Sequence, residues 1–223
     1  MCGIVGAISA KESTDFLLAG LSTLEYRGYD SAGLAVLNNG LQRARAKGRV
    51  AELASKVAEV GINGHVGIAH TRWATHGVPA ERNAHPHISS GLAVVHNGII
   101  ENYESLREQL QGLGYVFTSD TDTETIAHLI QACFKGQIGE PAENLFSAVQ
   151  CAVAHLKGAF ALAVISEEEP DCLVVAREGS PLMLGVADDG YYAASDASAL
   201  LSVTKRMMYL DNGDVARLSR DAV

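Results

Sequence analysis

An α+β fold built on antiparallel sheets is what this sequence predicts, and three observations predict it. Short segments that alternate apolar and polar, or are continuously apolar, come in runs bounded by Gly and Asn. Helical periodicity interrupts those runs in pairs instead of once per strand, which argues against a doubly wound parallel sheet. No fixed-period repeat, low-complexity tract or Pro/Gly/Ser-rich linker divides the 223 residues, so one compact domain spanning 1–223 is expected.

The first strand is read at 2–8, followed by a helix at 15–24 behind the capping residues Ser13 and Thr14. Strands at 33–37 and 41–47 precede a helix at 50–60 that opens after Gly48, and 66–70 and 92–96 are the next strands. A helix at 103–113 ends at Gly114 as a left-handed cap, a short strand is expected at 115–118, and a helix at 123–134 is capped by Thr121 or Asp122. Residues 143–156 form a fifth helix, and strands follow at 159–166, 172–176, 183–186 and 191–194, with a single helical turn at 197–201. The final strands, 207–210 and 215–218, flank Asp211-Asn212-Gly213-Asp214, which supplies the positive φ a hairpin needs.

Composition narrows the function classes. With 48% apolar residues, 19% charged, and 17 basic against 26 acidic side chains, the chain carries a net charge of −9 and a globular composition. That charge repels phosphate backbones, and no run of Lys/Arg compensates, so nucleic acid is not expected as a partner. No apolar run approaches the roughly 20 residues that span a bilayer, so no membrane role is expected. The apolar opening MCGIVGAISA lacks a basic flank and is too short for a signal peptide, and no N-x-S/T site with x other than Pro occurs; a cytoplasmic location is expected. Cys133, Cys151 and Cys172 are read as reduced, packed thiols, because no CxxC spacing pairs any of them.

Dinucleotide, nucleoside triphosphate, zinc-protease and EF-hand signatures are absent. Eight histidines include His70, His76, His85 and His87, but no nearby Cys/Asp/Glu completes a metal set, so neither metal nor cofactor is expected. The unusual feature is Cys2 beside the initiator Met. Once that Met is trimmed, the first residue carries both a thiol and an α-amine of pKa about 7.7–8.0, a nucleophile and a base on one residue. Asn97 and Gly98, at the end of an apolar run, can offer a side-chain amide and an unobstructed backbone N–H to an oxyanion. In His70-Thr71-Arg72-Trp73-Ala74-Thr75-His76-Gly77, Arg72 suits a carboxylate, Trp73 an apolar lid, and Thr75 and His76 further polar contacts. The carboxylates of Ser119-Asp120-Thr121-Asp122-Thr123-Glu124 suit either capping the helix that follows or binding an ammonium, and Asp122 is the candidate for the latter. A thiol, an oxyanion pair, an Arg and an Asp together describe a pocket for an α-amino acid with a cleavable side-chain carboxamide, which is L-glutamine.

CGIVGAI at Cys2, EYRGYDSAG from Glu25, HTRWATHG from His70, HNGIIEN from His96 and SDTDTE from Ser119 resemble the class II glutamine amidotransferases of the N-terminal-nucleophile hydrolase superfamily. Within them the chain is most similar to the glutaminase domains of glucosamine-6-phosphate synthases, over essentially its whole length. The branch making phosphoribosylamine, with YRGQD and HxRY, is the alternative, and asparagine synthetases share little beyond Cys-Gly-Ile. The resemblance implies a four-layer αββα sandwich of two antiparallel sheets. It also implies Cys2 as nucleophile, Asn97 and Gly98 as the oxyanion hole, Arg72 on the glutamine carboxylate and Asp122 on its ammonium. Trp73, Thr75 and His76 would lie on a closing loop, and Arg27 would support the Cys2 end. Complete family members continue into a C-terminal sugar-phosphate isomerase half that uses the ammonia to convert fructose 6-phosphate to glucosamine 6-phosphate, and a homo-oligomer is expected for them. The present chain is expected to be the glutaminase part alone. A non-catalytic glutamine-binding module is the competing reading.

Overall fold

The computed structural model describes residues 2–73, 78–220 and 222–223. In chain order the elements are β1 (Gly3–Ser9), α1 (Thr14–Leu24), β2 (Ser31–Leu37), β3 (Leu41–Lys47), α2 (Val50–Val60), β4 (Val66–Arg72), β5 (His87–Ser89) and β6 (Leu92–Ile100). Then come α3 (Tyr103–Gly112), α4 (Asp122–Phe134), α5 (Leu145–Val153), β7 (Gly158–Ser166), β8 (Glu169–Glu178), β9 (Met183–Ala187), β10 (Gly190–Ala194), β11 (Met207–Tyr209) and β12 (Val215–Leu218). They form a seven-stranded sheet, β11-β9-β10-β1-β4-β2-β3, and a five-stranded sheet, β12-β8-β7-β6-β5. Every strand pairing within the two sheets is antiparallel.

The period of two in the strands sorts side chains into three cores. In β1, Val5 and Ala7 face α1, whereas Ile4 and Ile8 face the second sheet. In β7, Leu162 and Val164 face α4 and α5, whereas Ala161, Ala163 and Ile165 face the first sheet. One helix layer, two sheets and a second helix layer follow from that alternation. Each fully buried Leu, Ile or Val in these layers stabilises the fold by about 1.5–3 kcal/mol relative to exposure.

Four expectations are corrected. Residues 115–118 are not a strand: Tyr115 and Phe117 pack their rings on His128, and the Thr118 and Ser119 amides donate to the Glu124 carboxylate at 2.9 and 2.7 Å. The last two strands are not a hairpin. β11 joins β9 in the seven-stranded sheet and β12 joins β8 in the five-stranded one. Gly213 has the expected positive φ of 86°, but the turn is anchored on β8, where the Gly213 amide donates to the Arg177 carbonyl and the Gly179 amide to Asn212. Cys133 and Cys151 are not separate thiols; they form a disulfide between α4 and α5 with Cα atoms 6.1 Å apart, while Cys172 is free and buried. Finally, the α1 entrance is not capped by the Ser13 side chain, which donates to the His65 carbonyl, and Glu12 accepts the Thr14 amide instead.

Candidate active site

The same alternation gathers the candidate residues. Val66 and Ile68 of β4 face the second sheet, so His70 and Arg72, two and four residues on from Ile68, enter the space between the sheets. Ala93 and Val95 of β6 face the first sheet, so Asn97 points the same way from the opposite side. Cys2 precedes Ile4 by two residues and completes the convergence. A glycine makes room for the fourth wall. A Cβ at Gly33 of β2 would lie 2.1 Å from the His85 carbonyl oxygen, and without it His85 reaches in beside His70.

At the centre the Cys2 sulfur accepts the Trp73 amide N–H at 3.2 Å. Burial pushes the Cys2 thiol up from its ordinary value, opposed by that Trp73 N–H and by the nearby Arg72 charge. Asn97 Nδ2 donates to the Cys2 carbonyl at 3.1 Å, and His70 Nε2 meets Asn97 Oδ1 at 3.0 Å. Gly98 has φ of +128°, and a Cβ there would lie 2.0 Å from the Ala159 carbonyl oxygen, so this end of β6 takes its bend only as glycine.

Arg72 is buried, and desolvation lowers its pKa while the Cys2 and Asp122 charges hold it up. Of the two capping candidates for α4, Thr121 is the cap: its hydroxyl accepts the Glu124 amide at 3.3 Å. Asp122 is thereby left to the site, buried at the first turn, with Oδ2 accepting the Ile100 amide at 3.0 Å. Arg27 donates to the Ser195 carbonyl at 3.2 Å and pairs with Asp196 at 3.1 Å. Ser195 in turn exchanges hydrogen bonds with the Ile4 backbone, its hydroxyl accepting the Ile4 amide and its own amide donating to the Ile4 carbonyl. Arg27 therefore clamps the corner that fixes the start of β1. Trp73 is half-exposed and meets Tyr29 edge-on at 5.9 Å. Thr75 and His76 lie outside the described residues.

Two cavities meet at Cys2, Trp73 and Gly98. The narrower, about 20 Å³, is lined by Arg72, Asp122, His85, His96, Thr121 and Thr123. The wider, about 280 Å³ and mostly apolar, is lined by Arg27, Asn97, Ile99, Ser180 and Pro181. Sequence reasoning did not single out Ser180, Pro181, Thr121 or Thr123 as wall residues. Ser180-Pro181 carries no motif, whereas the two threonines sat inside one already noted. Among the described residues, Cys133, Cys151 and His155 bring three potential metal-ligand atoms within 4.8 Å of one another, but two of them are the disulfide sulfurs and all lie away from these cavities.

The Cys2 sulfur thus lies in a cleft between two antiparallel sheets, with Asn97 on the wider cavity, the Arg72-Asp122 pair on the narrower and Gly98 on both. The chain belongs to the glutamine amidotransferases: the family model described as a glutamine amidotransferase domain matches residues 70–202. Among curated relatives, a glutamine–fructose-6-phosphate aminotransferase (isomerizing) of Acidithiobacillus ferridurans is 56% identical and one of Acinetobacter baylyi 54% identical, each aligned over 100% of this chain. The chain spans 36% of the length of each. Among solved structures, a glutamine phosphoribosylpyrophosphate amidotransferase from B. subtilis matches with TM-score 0.84 at 26% identity, over 99% of this chain and 48% of that one. A glutamine aminotransferase class-II domain protein from Silicibacter pomeroyi shares the fold, with TM-score 0.62 at 13% identity over 100% of this chain and 96% of that one. The four-layer α+β architecture expected from the sequence is that of these structures. Among the described residues no helix is long and apolar enough to cross a membrane.

Proposed function

We propose that this single domain hydrolyses L-glutamine to glutamate and ammonia through a thioester on Cys2. With the initiator Met removed, the Cys2 amine takes the thiol proton and the sulfur attacks the δ-carboxamide carbon. The tetrahedral oxyanion is held by the Asn97 amide and the Gly98 N–H. Collapse expels ammonia, whose third proton returns from the amine, and leaves a γ-glutamyl thioester that water hydrolyses to glutamate. Arg72 binds the α-carboxylate bidentately and Asp122 the α-ammonium, with Arg27 steadying the nucleophile's strand. In the longer protein the ammonia goes to a C-terminal isomerase domain that makes glucosamine 6-phosphate from fructose 6-phosphate, in a cytoplasmic homo-oligomer; the supporting fact is full-chain identity above 50% to the aminotransferases of that name.

The observation that carries this reading is the position of Cys2 where the two cavities meet, with Gly98 beside it, Asn97 lining the wider cavity and the Arg72-Asp122 pair the narrower. The test is ammonia and glutamate release by the chain with a mature Cys2 terminus, verified by mass spectrometry. Cys2→Ala is expected to abolish both while circular dichroism is unchanged. Asparagine, one methylene shorter, is expected to react at least tenfold more slowly, about the discrimination one methylene supplies. Retained activity in Cys2→Ala, or equal rates on the two amides, overturns the reading.

A further inference from the structure

Asn97 can serve an oxyanion only if its nitrogen, and not its oxygen, faces the reacting carbonyl. The two ends of a carboxamide are nearly isosteric, so packing alone does not choose between them. The hydrogen bonds do. The Cys2 carbonyl, 3.1 Å from Asn97, has lone pairs and no proton, so the atom facing it is Nδ2. Oδ1 then points away, 3.0 Å from His70 Nε2, and an oxygen cannot donate, so the proton of that bond sits on Nε2.

We propose that His70 is a positioning residue for the oxyanion donor: its Nε2–H holds Asn97 Oδ1 and thereby aims the Asn97 amide nitrogen at the site of Cys2 chemistry. The inference rests on the glutaminase reading above and adds to it a residue to which that reading gave no role. The ring is well placed for the task. His70 is fully buried and stacks on His85 with ring centroids 4.1 Å apart and planes inclined by 27°. His85 is itself oriented, because its Nδ1 accepts the His96 amide N–H at 3.4 Å. Burial holds His70 neutral, its pKa lowered to about 3, so the ring keeps one N–H donor throughout the working pH range. His70 stands on β4 and Asn97 on β6, so the bond also ties the two sheets together beside the nucleophile. Without that N–H, Oδ1 loses its hydrogen-bond partner, and half a turn of the amide places oxygen lone pairs where negative charge develops.

The test is a double-mutant cycle on glutamine hydrolysis by the 223-residue chain with mature Cys2. His70→Phe keeps the ring and loses the N–H. It is expected to lower kcat at least about tenfold, within the 10²–10³ lost when a whole oxyanion donor is removed, with KM for glutamine changed less than threefold. In the Asn97→Ala background the same substitution is expected to change kcat less than twofold, since the group it positions is gone. A merely structural role lowers kcat by the same factor in both backgrounds, and that result, or an unchanged kcat in His70→Phe alone, overturns the proposal. Nitrogen-15 NMR of the unsubstituted chain reads the tautomer without any variant that must fold: a proton on Nε2 is expected, and one on Nδ1 refutes the assignment. If the unsubstituted chain releases no ammonia, the glutaminase reading fails on its own, and the NMR result still decides the His70–Asn97 bond.

Discussion

Replacing Gly98 by alanine separates the backbone's contribution to the site from that of its side chains. The added Cβ would stand 2.0 Å from the Ala159 carbonyl oxygen and 2.8 Å from its carbon, where ordinary contact begins near 3.4 Å. β6 and β7 must therefore part by roughly 1.4 Å at this point, because the obstacle is backbone and has no rotamer to escape into. β7 is pinned on its other side by β8, so the movement falls on the Asn97-Gly98 end of β6. The φ of +128° adds strain of about 1–3 kcal/mol for a residue with a side chain, and the forced expansion about 1–3 kcal/mol more. In a domain of this size each kcal/mol moves Tm by about 2–4 °C, which predicts a fall on the order of 10 °C. An ångström of displacement also takes the residue-98 amide out of hydrogen-bond range of the oxyanion, lowering kcat by about 10²–10³. Thermal unfolding followed by circular dichroism, and ammonia release at saturating glutamine well below the variant's Tm, measure the two effects separately. A Tm within about 2 °C of the parent together with kcat within threefold would refute the reasoning.

Stability is expected to fall as pH drops from 6.5 to 5. His70, His85 and His87 are buried neutral with pKa values pushed below the ordinary 6.5, so the unfolded chain binds protons in that window that the folded chain does not. Each contributes a slope of about 1.4 kcal/mol per pH unit, and denaturant titrations at pH 7.5 and 5.0 should differ by several kcal/mol; equal values would sink the idea. Carboxylates held low by hydrogen bonds, such as Glu124 and Asp189, add to the loss only as pH falls further, below about 4.5. Reduction of Cys133–Cys151, which are 18 residues apart, is expected to remove about 3 kcal/mol and to lower Tm correspondingly. Thiol titration of the unfolded, unreduced chain should find Cys2 and Cys172 but not this pair, and four reactive thiols would contradict the bridge.

The four layers were legible only through the family resemblance, because β1 and β4 are buried on both faces and their composition does not say which side meets a helix; in the structure their two-residue alternation, with that of β6, carries Cys2, Arg72 and Asn97 to one cleft. Capping chemistry was legible at α4, where Thr121 takes the cap and Asp122 is released to the site. What stayed hidden depends on partners far away in sequence. Residues 115–118 have strand-like composition, but the Tyr115 amide turns back to the Leu110 carbonyl and Glu124 takes the Thr118 and Ser119 amides before a neighbouring strand can. Asn-Gly at 212–213 dictates a turn and not which sheet receives the chain after it. Cys133 and Cys151 meet only because α4 and α5 pack side by side, a fact no spacing rule contains. The role of His70 was equally invisible, since a histidine ending an apolar strand carries no sign of the amide it will face.

The parting of β11 and β12 ties the edge of one sheet to the edge of the other through four residues of turn and a short connection. The segment acts as a hasp across the sandwich, so the two sheets cannot slide apart without first springing it. Amide exchange should register this as correlated protection of β9 and β8, strands that share no hydrogen bond. From that segment a link runs to the wider cavity beside Cys2 through Arg177, whose guanidinium donates to the carbonyls of Leu210 and Ser180.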